Sequence, residues 1–178
     1  MFWQVIDFWF EEIEPRMWFR KDPVFDQTIR ERFSLVYQSV CQGETAEWRG
    51  EPLGRLAEVI VLDQFSRNLF RDSPLAFARD GQALVLAQAA IAAGADAELT
   101  PIQRNFLYMP FMHSESVLIH EQAVELFRAN GIESSLEFEL RHKAIIDRFG
   151  RYPHRNEVLG RLSSAEELEF LQQPGSSF

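Results

Sequence analysis

Residues 142–156 read His-Lys-Ala-Ile-Ile-Asp-Arg-Phe-Gly-Arg-Tyr-Pro-His-Arg-Asn. The spacing predicts an amphipathic helix that runs into this stretch and stops at Gly150. Arg151, His154, Arg155 and Asn156 follow at once. Two guanidinium groups, an imidazole and an amide beside a helix end form a dense set of donors, and such a set suits an anion. The alternative is structural: these side chains bond the last helix carbonyls or pair with acids elsewhere. His142 shares a helical stripe with Phe138, Ile145 and Phe149. It is either a satisfied core histidine or part of a pocket wall.

Two other polar segments carry candidate chemistry. Asp63-Gln64-Phe65-Ser66-Arg67-Asn68-Leu69-Phe70-Arg71 directly follows the apolar run Val59–Leu62. Asp63 and Arg67 stand one turn apart on one face, with Gln64 and Asn68 on the adjacent face. A carboxylate in an apolar helix must be paired, and Arg67 is the nearest partner. The segment is either an internal ion pair with an end-of-helix network, or a pocket floor presenting Arg67 and Asn68. In Tyr108-Met109-Pro110-Phe111-Met112-His113-Ser114-Glu115 one helix ends and another begins. Ser114 or Glu115 suits the new helix start, where acids are favoured. His113 is either a cap or a general base with Glu115 orienting it. Pairs such as Asp63 or Glu115 with Arg151 or Arg155 would join the three segments.

The elements that must position these residues all read as helix. A short buried helix covers 2–13. Asp22-Pro23 opens a helix to about Gln42, and Glu44–Gly50 is a short helical turn. Leu53 to Phe65 forms a helix that is apolar nearly all round, so it should be central. Ser73-Pro74 opens the run 74–93, and Thr100-Pro101 opens 101–112, which Pro110 should bend or end. Further helices run from about Glu115 to Ala129 and from about Ser135 to Phe149. Ser163 and Ser164 each precede a Glu by three residues, the signature of a capped last helix. No period-2 strand is present. The expected fold is all-α: one domain over 1–178, built of antiparallel helical hairpins.

Composition narrows the function. The 178 residues suffice for one sizeable core. A net charge of −9 argues against nucleic-acid and anionic-membrane partners. Lys21 and Lys143 are the only lysines, so nearly all positive charge is Arg. That suits bidentate anion binding, and it equally suits a GC-rich codon bias. Cys41 is single, which excludes an internal disulfide and multi-cysteine metal sites. No window reaches the roughly 18 apolar residues of a membrane span, and the apolar start lacks a basic region, so a cytoplasmic protein is expected. There is no phosphate loop, dinucleotide fingerprint, zinc His-Glu-x-x-His or nucleophile elbow. The four histidines, His113, His120, His142 and His154, match no metal spacing. Neither metal nor cofactor is expected.

Four segments together resemble a known family. They are Val5-Ile6-Asp7-Phe8-Trp9-Phe10, Leu62 to Arg71, Tyr108 to Glu115, and Phe149-Gly150-Arg151-Tyr152-Pro153-His154-Arg155-Asn156, with the closing Phe170-Leu171 and Pro174-Gly175-Ser176-Ser177-Phe178. They resemble domain of unknown function 924, an uncharacterised and mainly bacterial family. Ser66 departs from it, since the family often has Pro there. The resemblance implies an all-helical fold similar to tetratricopeptide-repeat superhelices, and it implies no established activity. The family's recurring residues fall here on Asp63, Gln64, Arg67, Asn68, His113, Glu115, Arg151, His154, Arg155 and Asn156.

The leading expectation is a binding module for a peptide carboxylate or small anion. Arg67, Arg151, His154 and Arg155 would clamp the anion, and Asn68 and Asn156 would orient it. The alternative is a hydrolase-type enzyme with His113 or His154 as base and Glu115 or Asp63 orienting it. A third reading leaves the polar set to fix helix packing.

Overall fold

The computed structural model describes residues 1–177. Among them it is all-helical. Helix α1 spans Trp3–Asp7 and widens into a π turn over Phe8–Glu12. Helix α2 spans Pro23–Cys41; Asp22 caps it through its carboxylate, which accepts from Val24 N and Phe25 N. Helix α3 spans Pro52–Ile60, widens into a second π turn over Val61–Phe65, and continues as α4, Ser66–Leu69. Helices α5, Asp80–Ala92, and α6, Pro101–Met112, come next. Then follow α7, Val117–Asn130, α8, Glu133–Phe149, and the short α9, Ala165–Phe170.

The α3 helix is the centre, as its all-round apolarity predicts. It packs against α1, α5 and α6, and Val59, Ile60, Val61 and Leu62 are fully buried. Helix α6 packs on α7, and α7 on α8, so successive helices form antiparallel neighbours. Gly131 stands at φ 78° between α7 and α8, a left-handed conformation that lets the chain reverse in two residues. Aromatic rings fill the core. Phe8, Phe33 and Phe65 lie 4.9 and 5.0 Å apart in succession, and Trp9 meets Phe106 edge-on at 5.6 Å.

Gly54 marks the tightest approach. A Cβ there would sit 2.0 Å from the backbone oxygen of Trp48. Backbone cannot swing away as a flexible side chain can. Gly54→Ala should therefore destabilise by about 3 kcal/mol, the upper end for overpacking. Urea denaturation checks this, and a neutral result would mean that the 46–50 turn can shift.

Five expectations about the elements need correction. The run 74–93 is not one helix. A 3-10 turn covers Pro74–Ala76, and α5 starts only at Asp80. The break places Phe77 against two guanidinium groups and Asp80 in the first turn of α5. Residues 2–13 and 53–65 are helical, yet each ends in a wide π turn. Helix α7 starts at Val117, after Ser116, so Ser114 and Glu115 lie in the preceding loop with partners elsewhere. Ser164 alone makes the capping box with Glu167, whereas the Ser163 hydroxyl accepts from Asn156.

Candidate ligand-binding site

The second π turn fixes the polar centre of the site. Single-turn π segments insert one extra residue and re-aim side chains, often at functional sites. Here the turn follows the core run and carries Asp63, which is fully buried. Three donors converge on that carboxylate. His113 Nδ1 donates to Oδ1 at 2.7 Å, Gln64 Nε2 to Oδ2 at 2.7 Å, and Arg67 Nη1 to Oδ1 at 3.3 Å. Burial alone would raise the Asp63 pKa, but His113, Arg67 and Gln64 outweigh it and hold the group well below the ordinary carboxylate range. Burial, helped by Arg67, pushes His113 down instead, so its imidazole is neutral at pH 7.

Asp80 is the second anchor, and sequence reasoning missed it. Its carboxylate accepts from Arg67 Nη1 at 2.9 Å, Arg67 Nη2 at 3.0 Å and Arg155 Nη1 at 3.3 Å. Arg155 also donates to the His113 carbonyl at 3.0 Å. Its guanidinium lies between the Phe77 and Tyr152 rings, 4.6 Å from each centroid. Burial is the main influence on Arg155 and pulls its pKa down; Asp80 offsets this only in part.

Gln64, Arg67, Phe77, His113, Tyr152 and Arg155 line a cavity of about 690 Å³, a size suited to a small ligand. Its wall includes Gln64, Arg67, Asn68, His113, His142, His154 and Arg155 from the expected set, with Asp63 directly behind. Burial sets both other histidines neutral. His142 is lowered to about 3, although its bond to the Phe138 carbonyl opposes the shift. His154 is lowered to about 4, with Arg155 adding to burial. Arg20, Lys21 and Arg71 add positive charge to the wall. Trp18, Phe19, Phe77, Met109, Met112 and Phe138 supply apolar surface. Trp18 is pinned by its indole N–H, which donates to the Trp9 carbonyl at 2.8 Å.

Three expected residues do other work. Arg151 turns away to Glu167 at 2.7 Å and to the Leu162 carbonyl. Asn156 donates to Ser163 Oγ and accepts from Arg161. Glu115 accepts from Tyr152 N at 2.7 Å and from Arg161 at 2.6 Å. Together they brace the loop after α8. The expected pairs of Asp63 or Glu115 with Arg151 or Arg155 do not form as ion pairs, because Asp80, Arg161 and Glu167 lie closer. The carboxylate that orients His113 is Asp63, not Glu115.

Among the described residues, no group of three His, Cys, Asp or Glu is placed to hold a metal, and no helix is long and apolar enough to cross a membrane. A search of curated proteins finds no match. A solved structure does match: "Structure of Protein of Unknown Function ATU0120 from Agrobacterium tumefaciens". It is 34% identical, covers 96% of each chain, and superposes with a TM-score of 0.92. The family model for bacterial proteins of unknown function, DUF924, matches residues 5–175. That span is nearly the whole chain, and the chain belongs to the DUF924 family.

Proposed function

We propose that the chain binds a small organic anion, a carboxylate or phosphate attached to an apolar body. One observation carries this reading. The chain holds 27 acidic and 18 basic side chains, yet the cavity wall holds Arg20, Lys21, Arg67, Arg71 and Arg155 against one acid, Asp72. The acids that pair with Arg67 and Arg71, namely Asp63, Asp80 and Asp26, are not part of the cavity wall. An anion in this cavity has guanidinium groups in reach, and its apolar part has Trp18, Phe19 and Phe138.

Calorimetry with phosphate and small carboxylates tests the reading. Arg20→Glu with Lys21→Glu should weaken anion binding about tenfold and flatten its salt dependence, since both are exposed rim charges. The melting temperature without ligand should stay near that of the original chain. If no anion in the panel binds at millimolar concentration, the reading fails.

The Asp63–His113 pair supports a second reading, a hydrolase-type enzyme. With Nδ1–H held by Asp63, His113 Nε2 is left to take a proton from water. Turnover of an ester substrate that His113→Gln abolishes would favour it.

A further inference from the structure

Asp63 does more than neutralise Arg67. A carboxylate only accepts hydrogen bonds, so whatever bonds to it must present a proton. His113 therefore holds its proton on Nδ1, and Nε2 is left as an acceptor. Gln64 must turn its NH₂ to Asp63, so Oε1 points the other way. Among the described residues neither His113 Nε2 nor Gln64 Oε1 has a hydrogen-bond partner, and both residues line the cavity. Asn105 lines the same cavity and is 9% exposed, but its Oδ1 is buried, without a partner among the described residues, so the two acceptors open to a ligand are those of His113 and Gln64.

His113 stands at the end of one stripe of the wall. Asn105, Met109 and His113 recur every four residues along α6, a stripe of about 12 Å. Gln64 lies beside Met109, with Nε2 3.3 Å from the sulfur. The cations begin where this row ends. Arg155 donates to the carbonyl of His113 itself, and Arg67 shares Asp63 with the His113 ring. One end of the cavity thus offers donors for an anion beside acceptors for a neighbouring donor.

We propose that the ligand is a carboxylate with an uncharged donor on the adjacent carbon, an O–H or amide N–H, and an apolar side chain. This rests on the anion reading above. A carboxylate alone would leave the acceptors empty. An ammonium would sit beside Arg67 and Arg155 and be repelled. Two kinds of compound share the chemistry: 2-hydroxy acids and N-acylated amino acids.

Calorimetry on the full chain with four matched probes and inorganic phosphate tests the proposal. The probes are 3-phenylpropionate, phenyllactate, N-acetylphenylalanine and phenylalanine. Phenyllactate or N-acetylphenylalanine should bind about tenfold tighter than phenylpropionate, the worth of one good hydrogen bond. The tighter of the two identifies the source. Gln64→Met, folded by its melting curve, should narrow that gap at least threefold, and an unchanged gap would overturn the assignment. Equal affinities, tightest binding of phenylalanine, or binding of phosphate alone would each overturn the proposal and leave the anion reading standing. No binding by any of the five would overturn both.

Discussion

Asp80→Ala should cost about 3–5 kcal/mol of stability, the range for breaking a buried ion pair from one side. Asp80 is the only carboxylate bonded to Arg155 among the described residues, and it takes two of the bonds from Arg67. Arg67 would keep the Asp63 carbonyl at 2.7 Å and its carboxylate at 3.3 Å. Arg155 would keep only the His113 carbonyl, with its side chain 7% exposed and already carrying a buried Nε that no described residue accepts from. Arg67 would thus keep one carboxylate and Arg155 none. The same change makes the cavity more positive, so an anion should stabilise the variant more than the original chain. Urea denaturation with and without phosphate measures both effects. A loss below about 1 kcal/mol would place Asp80 with ordinary surface pairs, whose worth is that small.

The sequence shows the helices well because their punctuation is local. Asp22-Pro23, Thr100-Pro101 and Ser164 with Glu167 act within one turn of chain, and each caps the helix it was read to cap. The site is legible only in part, since it is assembled from α3–α4, α5, α6 and the loop after α8. Arg67 and Asp63 could be paired because they lie one turn apart. Asp80 could not, because its partners are 13 and 75 residues away. Its place also depends on the break at 77–79 inside a run whose Ala and Leu content reads as continuous helix. The density of donors at 151–156 misled in the opposite way. Adjacent residues in an irregular loop point to different sides, so Arg155 reaches the cavity while Arg151 and Asn156 brace the loop. Asn105 carried no signal beyond one polar residue in an apolar stripe.

The same burial predicts a steep acid sensitivity. An unfolded histidine takes up its proton near pH 6.5. In the folded chain His142 waits until about 3 and His154 until about 4, and His113 is also lowered. As pH falls below 6.5 the unfolded chain therefore binds protons that the folded chain refuses, and stability drops. Each such group contributes a slope of about 1.4 kcal/mol per pH unit. Glu139 works against them. Burial raises its pKa, so the folded chain binds its proton first as pH falls. His142 and His154 together account for about two protons, or about 2.7 kcal/mol per unit between pH 6 and 4.5; His113 adds to this slope and Glu139 subtracts from it. Below that, Glu115 and Asp63, both lowered in the fold, add to the loss as the unfolded carboxylates protonate. Urea denaturation at half-unit steps from pH 7.5 to 4.5 measures the slope. In His154→Phe the slope should fall by about half, by one proton in two. A flat profile down to pH 5 would mean that the imidazoles are protonated in the fold, and that the cavity wall offers donors in place of neutral rings.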